Sequence, residues 1–158
     1  MWCAFTSGLV SIFGIVFLVA FFTTFIGSLG TMNDIFVIVQ YVLMLPLAVY
    51  LHLTLGHRRP TFARNALVIG LASMISVAVL QFLLVSGIMP FEVQIGLVSA
   101  AFLVALVWFI MIRKLGESTD VVPRSLVLTV LAGLYFGYPF WAFSVGRRLH
   151  ALEQTSGG

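Results

Sequence analysis

Charged residues divide the chain into five long intervals that contain none of them. These charge-free intervals are 4–26, 35–55, 66–88, 93–112 and 125–145. A helix of about 20 apolar residues crosses the roughly 30 Å hydrocarbon core of a bilayer, where lipid offers no partner to an unpaired backbone group. The pattern therefore predicts an all-α integral membrane protein. We expect a single bundle of five transmembrane helices over residues 1–158, ending in a short polar tail, 146–158.

Composition agrees with this prediction. Of the 158 residues, 61% are hydrophobic and 8% are charged, whereas soluble domains are about half apolar and about a quarter charged. The net charge of +3 comes from arginines in short loops at predicted helix ends, so we expect it to set orientation and not to bind nucleic acid. The single Cys3 has no partner for a disulfide within the chain.

Basic residues are shared unevenly between the two sides of the predicted bundle. The side of the N-terminus carries Arg58, Arg59, Arg64, Arg113, Lys114 and Arg124. Because cytoplasmic loops are enriched in basic residues, this predicts a cytoplasmic N-terminus and, after five spans, a C-terminus outside. Arg147 and Arg148 lie on the predicted outer side and act against this orientation. The expected location is a plasma membrane of the bacterial type.

Small residues four apart recur in the predicted helices. The pairs are Gly133 with Gly137, Ala66 with Gly70, and Gly96 with Ala100. This spacing lets two helix backbones approach closely in lipid, which favours helix packing at these positions. The sequence leaves open whether the pairs join helices within the chain or form a contact with another copy or another subunit.

Polar side chains are concentrated in the predicted outer half. Counting about 1.5 Å per residue puts Gln40, Gln81 and Tyr138 at similar depths and Tyr135 near the midplane. We also expect Asn33 and Asp34 to cap the second helix, and Pro139 to kink the fifth.

Intramembrane polar groups are costly and usually face a cavity or another helix. One interpretation is therefore a pocket open to the outside. Its predicted lining is Gln40, Gln81, Tyr135, Tyr138 and Trp141, with Glu92 and Asp34 at the lip. The alternative is that these groups bond one another and hold the helices together.

The spacing of titratable residues matches no catalytic or metal-binding motif. His52, His57 and His150 form neither H-x-x-x-H nor H-E-x-x-H, and no glycine-rich phosphate loop is present. The sequence therefore predicts no catalytic residue, metal ligand or cofactor, although a bound lipid, quinone or pigment is compatible with its fifteen Phe residues.

Three classes of function remain open. The preferred one is an accessory or structural component that docks to other membrane subunits. The second is an outward-open protein that binds or conducts a small molecule or lipid. The third is an intramembrane enzyme that uses Glu92 or Asp34 as an acid or base. The expected partners are the lipid bilayer and either other membrane-protein subunits or further copies of the chain.

Overall fold

The computed structural model describes residues 2–116 and 138–156, and all regular secondary structure within these ranges is helical. The helices are α1 (Trp2–Thr24), α2 (Gly27–Leu55), α3 (Pro60–Val85), α4 (Phe91–Gly116) and α5 (Tyr138–Ser156), with one 3-10 turn at Gly56–Arg58.

Four of these helices are long and apolar enough to cross a membrane, namely α1 to α4. They hold 23, 29, 26 and 26 residues, which is about 35 to 43 Å at 1.5 Å per residue. The prediction of helices that are long and apolar enough to span a membrane is confirmed for these four. The fifth predicted span, 125–145, lies mostly outside the described residues, and its described part forms the start of α5.

The start of α2 differs from the prediction. This helix begins at Gly27, so Asn33 and Asp34 lie well inside it and do not cap its N-terminus. The reason is a very short connection between α1 and α2. Phe25 adopts a left-handed φ of 56° and Ile26 an extended one, which reverses the chain within two residues.

The first four helices form two antiparallel hairpins, α1–α2 and α3–α4, which pack together through α2 and α3. Helix α2 is central because it also contacts α4. Its inward face supplies Met44, Leu47 and Leu51 to the core, each almost completely buried. We call the end of the bundle with the α1–α2 and α3–α4 connections the turn end. The opposite end, with the start of α1 and the end of α4, is the terminal end.

Helix α5 lies at the terminal end. Its Tyr138 hydroxyl donates a 2.8 Å hydrogen bond to the Ser7 hydroxyl of α1. Further along, Phe143 packs against Phe5 with ring centroids 6.0 Å apart. Helix α5 also reaches α4, where the Trp141 and Trp108 rings are 6.0 Å apart.

This position corrects the predicted depth of Tyr138 and Trp141. The residue count assumed one continuous span from 125 to 145 that carries both side chains towards the turn end. The buried face of α5 instead continues past 145 to Leu149. Because Gly146 lies against Phe5, α5 follows the first turns of α1. The prediction that the C-terminus lies opposite the N-terminus does not fit this arrangement, and part of the predicted polar tail is helical.

Candidate functional site

The turn end contains a cavity of about 600 Å³ that is lined by all four of the long apolar helices, α1 to α4. This volume lies within the range of small-molecule sites, which are usually apolar with a few polar groups. The apolar lining residues are Leu18, Phe21, Phe22, Leu84, Val85, Phe91, Ile95 and Val98. The polar side chains in the lining are Thr31, Asn33, Asp34, Gln81 and Gln94.

The α3–α4 connection sets the position of two of these polar side chains. Gly87 adopts φ 69°, a left-handed conformation that suits glycine, and its N–H donates to the Leu84 carbonyl at 2.9 Å. The chain then turns back into α4 within a few residues. Gln81 and Gln94 lie at nearly equal distances from this turn, so the antiparallel packing of α3 and α4 brings them face to face.

The two glutamines form a buried amide pair. Nε2 of Gln94 donates to Oε1 of Gln81 at 3.0 Å, and the two residues are 2% and 6% exposed. A buried amide is costly unless it is hydrogen-bonded, so this contact offsets much of the cost of placing both groups inside the bundle. The pair joins α3 to α4 and also forms part of the cavity wall.

Asn33 and Asp34 form the polar wall contributed by α2. Asn33 is buried and Asp34 is half-buried. The Asn33 amide nitrogen lies 3.4 Å from a carboxylate oxygen of Asp34, which is long for a hydrogen bond. A Cβ built on Gly14 of α1 would lie 3.6 Å from the Asn33 amide oxygen, an ordinary van der Waals distance, so the Asn33 amide lies beside α1 at this residue. Asp34 is the one ionisable group among the cavity-lining residues in the described part of the chain.

The surroundings of the cavity differ between the middle of the bundle and its edge. Below it, the Tyr41 ring of α2 contacts the Phe102 ring of α4, with centroids 5.8 Å apart. Helices α1 and α4 both line the cavity but do not pack along each other in the described part of the chain. At this edge Phe22 is 63% and Phe91 57% exposed. The opening therefore lies between the end of α1 and the start of α4.

The structure brings together only part of the predicted pocket. Asp34 and Gln81 line the cavity. Gln40 is buried on α2 but is not part of the lining, and Glu92 is exposed in the first turn of α4. Tyr135 lies outside the described residues.

Tyr138 and Trp141 lie at the terminal end and belong to a packed aromatic cluster. The members of this cluster are Trp108, Phe109, Tyr138 and Trp141, with ring centroids 4.8 to 6.2 Å apart. All four are buried. Edge-to-face contacts of this kind stabilise packing, so the cluster anchors α5 and contributes nothing to the cavity.

The predicted small-residue pairs occupy two different environments. Ala66 is buried, and Gly70 lies directly against the Trp108 indole. Gly96 and Ala100 are exposed on α4. The third pair, Gly133 and Gly137, lies outside the described residues.

Sequence reasoning missed Asn33 and Gln94 as lining residues. Asn33 was assigned to a helix cap, and Gln94 was assigned no role. The signal that points to Gln94 is its separation from the α3–α4 turn, which matches that of Gln81.

Within the described residues, no group of three or more His, Cys, Asp or Glu side chains is placed to hold a metal ion. Comparison with protein-family models, with curated proteins and with solved structures gives no match.

Proposed function

We propose that this chain is a membrane protein that binds a small amphipathic molecule in the turn-end cavity. The observation that carries the proposal is the cavity of about 600 Å³, with apolar walls and a few polar side chains contributed by α2, α3 and α4. A molecule with one polar end and one apolar end matches that lining. This is the second of the functions that the sequence left open.

The depth of the polar side chains supports an amphipathic ligand. Gln81 lies four residues before the end of α3, and Gln94 lies three residues after the start of α4, so both are about 5 Å from a helix end. The two helices are about 9 Å longer than the hydrocarbon core is thick. A centred bundle therefore holds the amide pair near the boundary between hydrocarbon and headgroups, where the polar end of a lipid-like molecule lies.

Filling the cavity tests the proposal. Gly30 lines the cavity, and a Cβ built there meets only the Phe21 ring at 3.4 Å, which is ordinary contact. Gly30→Leu therefore places a side chain in the cavity without a backbone clash. Gly96→Leu is the matched control, because it lies in a helix with nothing within 4 Å of its Cβ position.

Binding of monododecanoylglycerol, a neutral single-chain amphiphile, is measured by native mass spectrometry of protein in mild detergent. We expect Gly30→Leu to weaken binding at least tenfold, which corresponds to about 1.4 kcal/mol. Gly96→Leu should bind as the wild-type chain does. Equal binding by both variants would overturn the proposal, and so would a wild-type chain that binds no single-chain amphiphile, whether neutral or charged.

The docking function preferred from the sequence has its own supporting observation. A groove of about 410 Å³ runs between α3 and α4 and is lined by Ser76, Val79, Leu97 and Ala100, among others. Exposed small residues let another transmembrane helix approach closely. As a second candidate, the groove receives a transmembrane helix of another membrane subunit.

A bulky substitution in this groove, Ala100→Phe, should release that subunit. The change is detected as a loss of mass from the complex extracted in mild detergent. A wild-type chain that carries no protein subunit under these conditions would refute the docking function. Gly30→Leu is the control, because it alters the cavity and leaves the groove unchanged.

The charge distribution supports a revised orientation. The terminal end carries the basic residues Arg58, Arg59, Arg64, Arg113, Lys114, Arg147 and Arg148, whereas the turn end carries the acids Asp34 and Glu92. By the positive-inside rule the terminal end is cytoplasmic. We propose that both the N-terminus and α5 face the cytoplasm of a bacterial-type cell and that the cavity faces outward.

Single-cysteine variants test this orientation in a Cys3→Ser background. A membrane-impermeant maleimide should label Ser86→Cys in intact cells, because Ser86 lies at the turn end. It should label Gln154→Cys only after lysis. Labelling of Gln154→Cys in intact cells would instead restore the original prediction of an external C-terminus.

A further inference from the structure

The charges around the turn-end cavity indicate which class of amphipathic molecule it holds. Among the lining residues that the structure describes, Asp34 is the only ionisable one. The described Lys, Arg and His residues on the cavity-forming helices are at least 17 residues from the polar lining residue of the same helix. That separation is about 25 Å of helix. No protein cation in the described part of the chain therefore neutralises Asp34 from within the bundle.

We infer that the cavity selects an amphiphile with a cationic, ammonium-type polar end, which pairs with the Asp34 carboxylate. This inference rests on the proposed binding function and names the ligand class for the same site. An anionic amphiphile would place its charge beside an uncompensated carboxylate. A neutral amphiphile would leave Asp34 half-buried without an opposite charge, which is an unfavourable state for a carboxylate near lipid.

The surroundings of Asp34 match an ammonium group in two further ways. The contact with the Asn33 amide at 3.4 Å is long, so the carboxylate accepts additional N–H donors readily. The cavity wall also contains the rings of Phe21, Phe22 and Phe91, and aromatic faces attract cations through their quadrupole. The apolar residues Leu18 and Val98 are part of the same lining and suit an alkyl chain.

The orientation of such a ligand follows from the lining. The polar side chains of α2, α3 and α4 lie near the headgroup boundary, whereas the cavity opens between α1 and α4 beside two exposed phenylalanines. An ammonium group at Asp34 leaves its alkyl chain directed towards this opening. The ligand therefore keeps its chain in contact with the bilayer while its charge is held by the protein.

Three probes with matched hydrocarbon chains test the inference. They are dodecylammonium, neutral monododecanoylglycerol and anionic dodecanoate, each titrated by native mass spectrometry at neutral pH. We expect dodecylammonium to bind the wild-type chain at least tenfold more tightly than the neutral probe. Dodecanoate should bind more weakly than the neutral probe.

Two charge-removing variants assign the preference to Asp34. Asp34→Asn keeps the size of the side chain and should bind all three probes with affinities within about threefold of one another. Glu92→Gln is the matched control, because it removes one acid from the same end outside the cavity. It should retain the full preference for dodecylammonium. Asp34→Glu should retain the preference as well.

The outcomes separate this inference from the proposed function. If the wild-type chain binds the neutral probe as tightly as dodecylammonium, and Gly30→Leu still weakens both, the ammonium class is wrong and the cavity remains a binding site. If no probe binds the wild-type chain, the proposed function itself fails. If Glu92→Gln loses the preference as Asp34→Asn does, surface charge and not the cavity selects the cation, and the inference is overturned.

Discussion

The contact between Gly70 of α3 and Trp108 of α4 offers the sharpest test of the bundle. A Cβ built on Gly70 would lie 2.5 Å from Nε1 of Trp108 and closer still to Cδ1. Protein Cβ atoms essentially never approach other atoms this closely, so Gly70→Ala forces the indole or α3 to move. Trp108 is fully buried between Phe109 and Trp141, and it therefore has little space to retreat.

The expected cost follows from two opposing effects. Overpacking a well-filled core typically costs about 1–3 kcal/mol of folding free energy. Replacing a helical glycine by alanine returns up to about 1 kcal/mol through helix propensity. With the full propensity gain subtracted, Gly70→Ala should lower the free energy of unfolding by up to about 2 kcal/mol. Gly96→Ala receives the same propensity gain with no clash, so it should be as stable as the wild-type chain or up to about 1 kcal/mol more stable.

Equilibrium unfolding in mixed micelles of SDS and a nonionic detergent measures both variants against the wild-type chain. A Trp108→Ala background supplies a second comparison, because removal of the indole should make Gly70→Ala neutral or stabilising. If Gly70→Ala is as stable as Gly96→Ala in the wild-type background, the indole does not rest on α3 and the described α3–α4 contact is incorrect.

Two further predictions concern the start of α5 and the α1–α2 connection. Tyr138→Phe removes the 2.8 Å hydrogen bond to Ser7 and should lower the free energy of unfolding by about 0.5–1.5 kcal/mol. A double-mutant cycle with Ser7→Ala should show coupling between the two residues. Additive effects of the two changes would mean that α5 does not pack against α1 at Ser7. Phe25→Gly should raise stability by about 1 kcal/mol, because it relieves a left-handed φ of 56°. The control is Phe22→Gly, which changes an equally apolar residue inside α1 and should lower stability by about 1 kcal/mol. Equal effects of Phe25→Gly and Phe22→Gly in unfolding assays would contradict the described turn.

The positions of α1 to α4 could be predicted because burial in lipid excludes charge from long stretches of sequence. The start of α2 could not be predicted from the same rule. Asn33 and Asp34 have the residue types of a helix cap, and sequence alone does not distinguish a cap from polar groups that face a cavity. The two-residue connection between α1 and α2 starts α2 at Gly27 and so places Asn33 and Asp34 inside the helix. This connection depends on Phe25 in a conformation that its residue type disfavours.

The candidate site was partly predictable for a related reason. Depth counting treats each helix separately, and it selected Gln81. It did not select Gln94, because the hydrogen bond between Gln81 and Gln94 depends on how α3 and α4 pair about Gly87. Residues at equal distances from a tight helical turn lie at the same depth in the hairpin, and this rule, applied to the sequence, would have placed Gln94 level with Gln81.

The position of α5 depends on contacts that no local pattern encodes. Tyr138 meets Ser7, a residue more than a hundred positions earlier, and Trp141 meets Trp108. A residue count measures depth only along a continuous span with a known end. Because the start of α5 packs at the terminal end, Tyr138 and Trp141, which the sequence predicts to line an outer pocket, are part of the core there.

The sequence left two interpretations of the polar residues, a ligand pocket and hydrogen bonds that hold the helices together. These do not exclude each other, because the Gln81–Gln94 pair serves both. Its 3.0 Å bond joins α3 to α4, and the same amides line the cavity. Removing one amide leaves its buried partner unsatisfied at a cost of about 1–3 kcal/mol, whereas replacing both by apolar groups of similar shape is nearly neutral. Gln94→Leu should therefore lower stability in mixed-micelle unfolding, and Gln81→Leu combined with Gln94→Leu should regain most of the loss. If the amides also orient the ligand, the stable double variant should still bind probes more weakly than the wild-type chain. A double variant with both wild-type stability and wild-type binding would show that the amide pair has no role in the site.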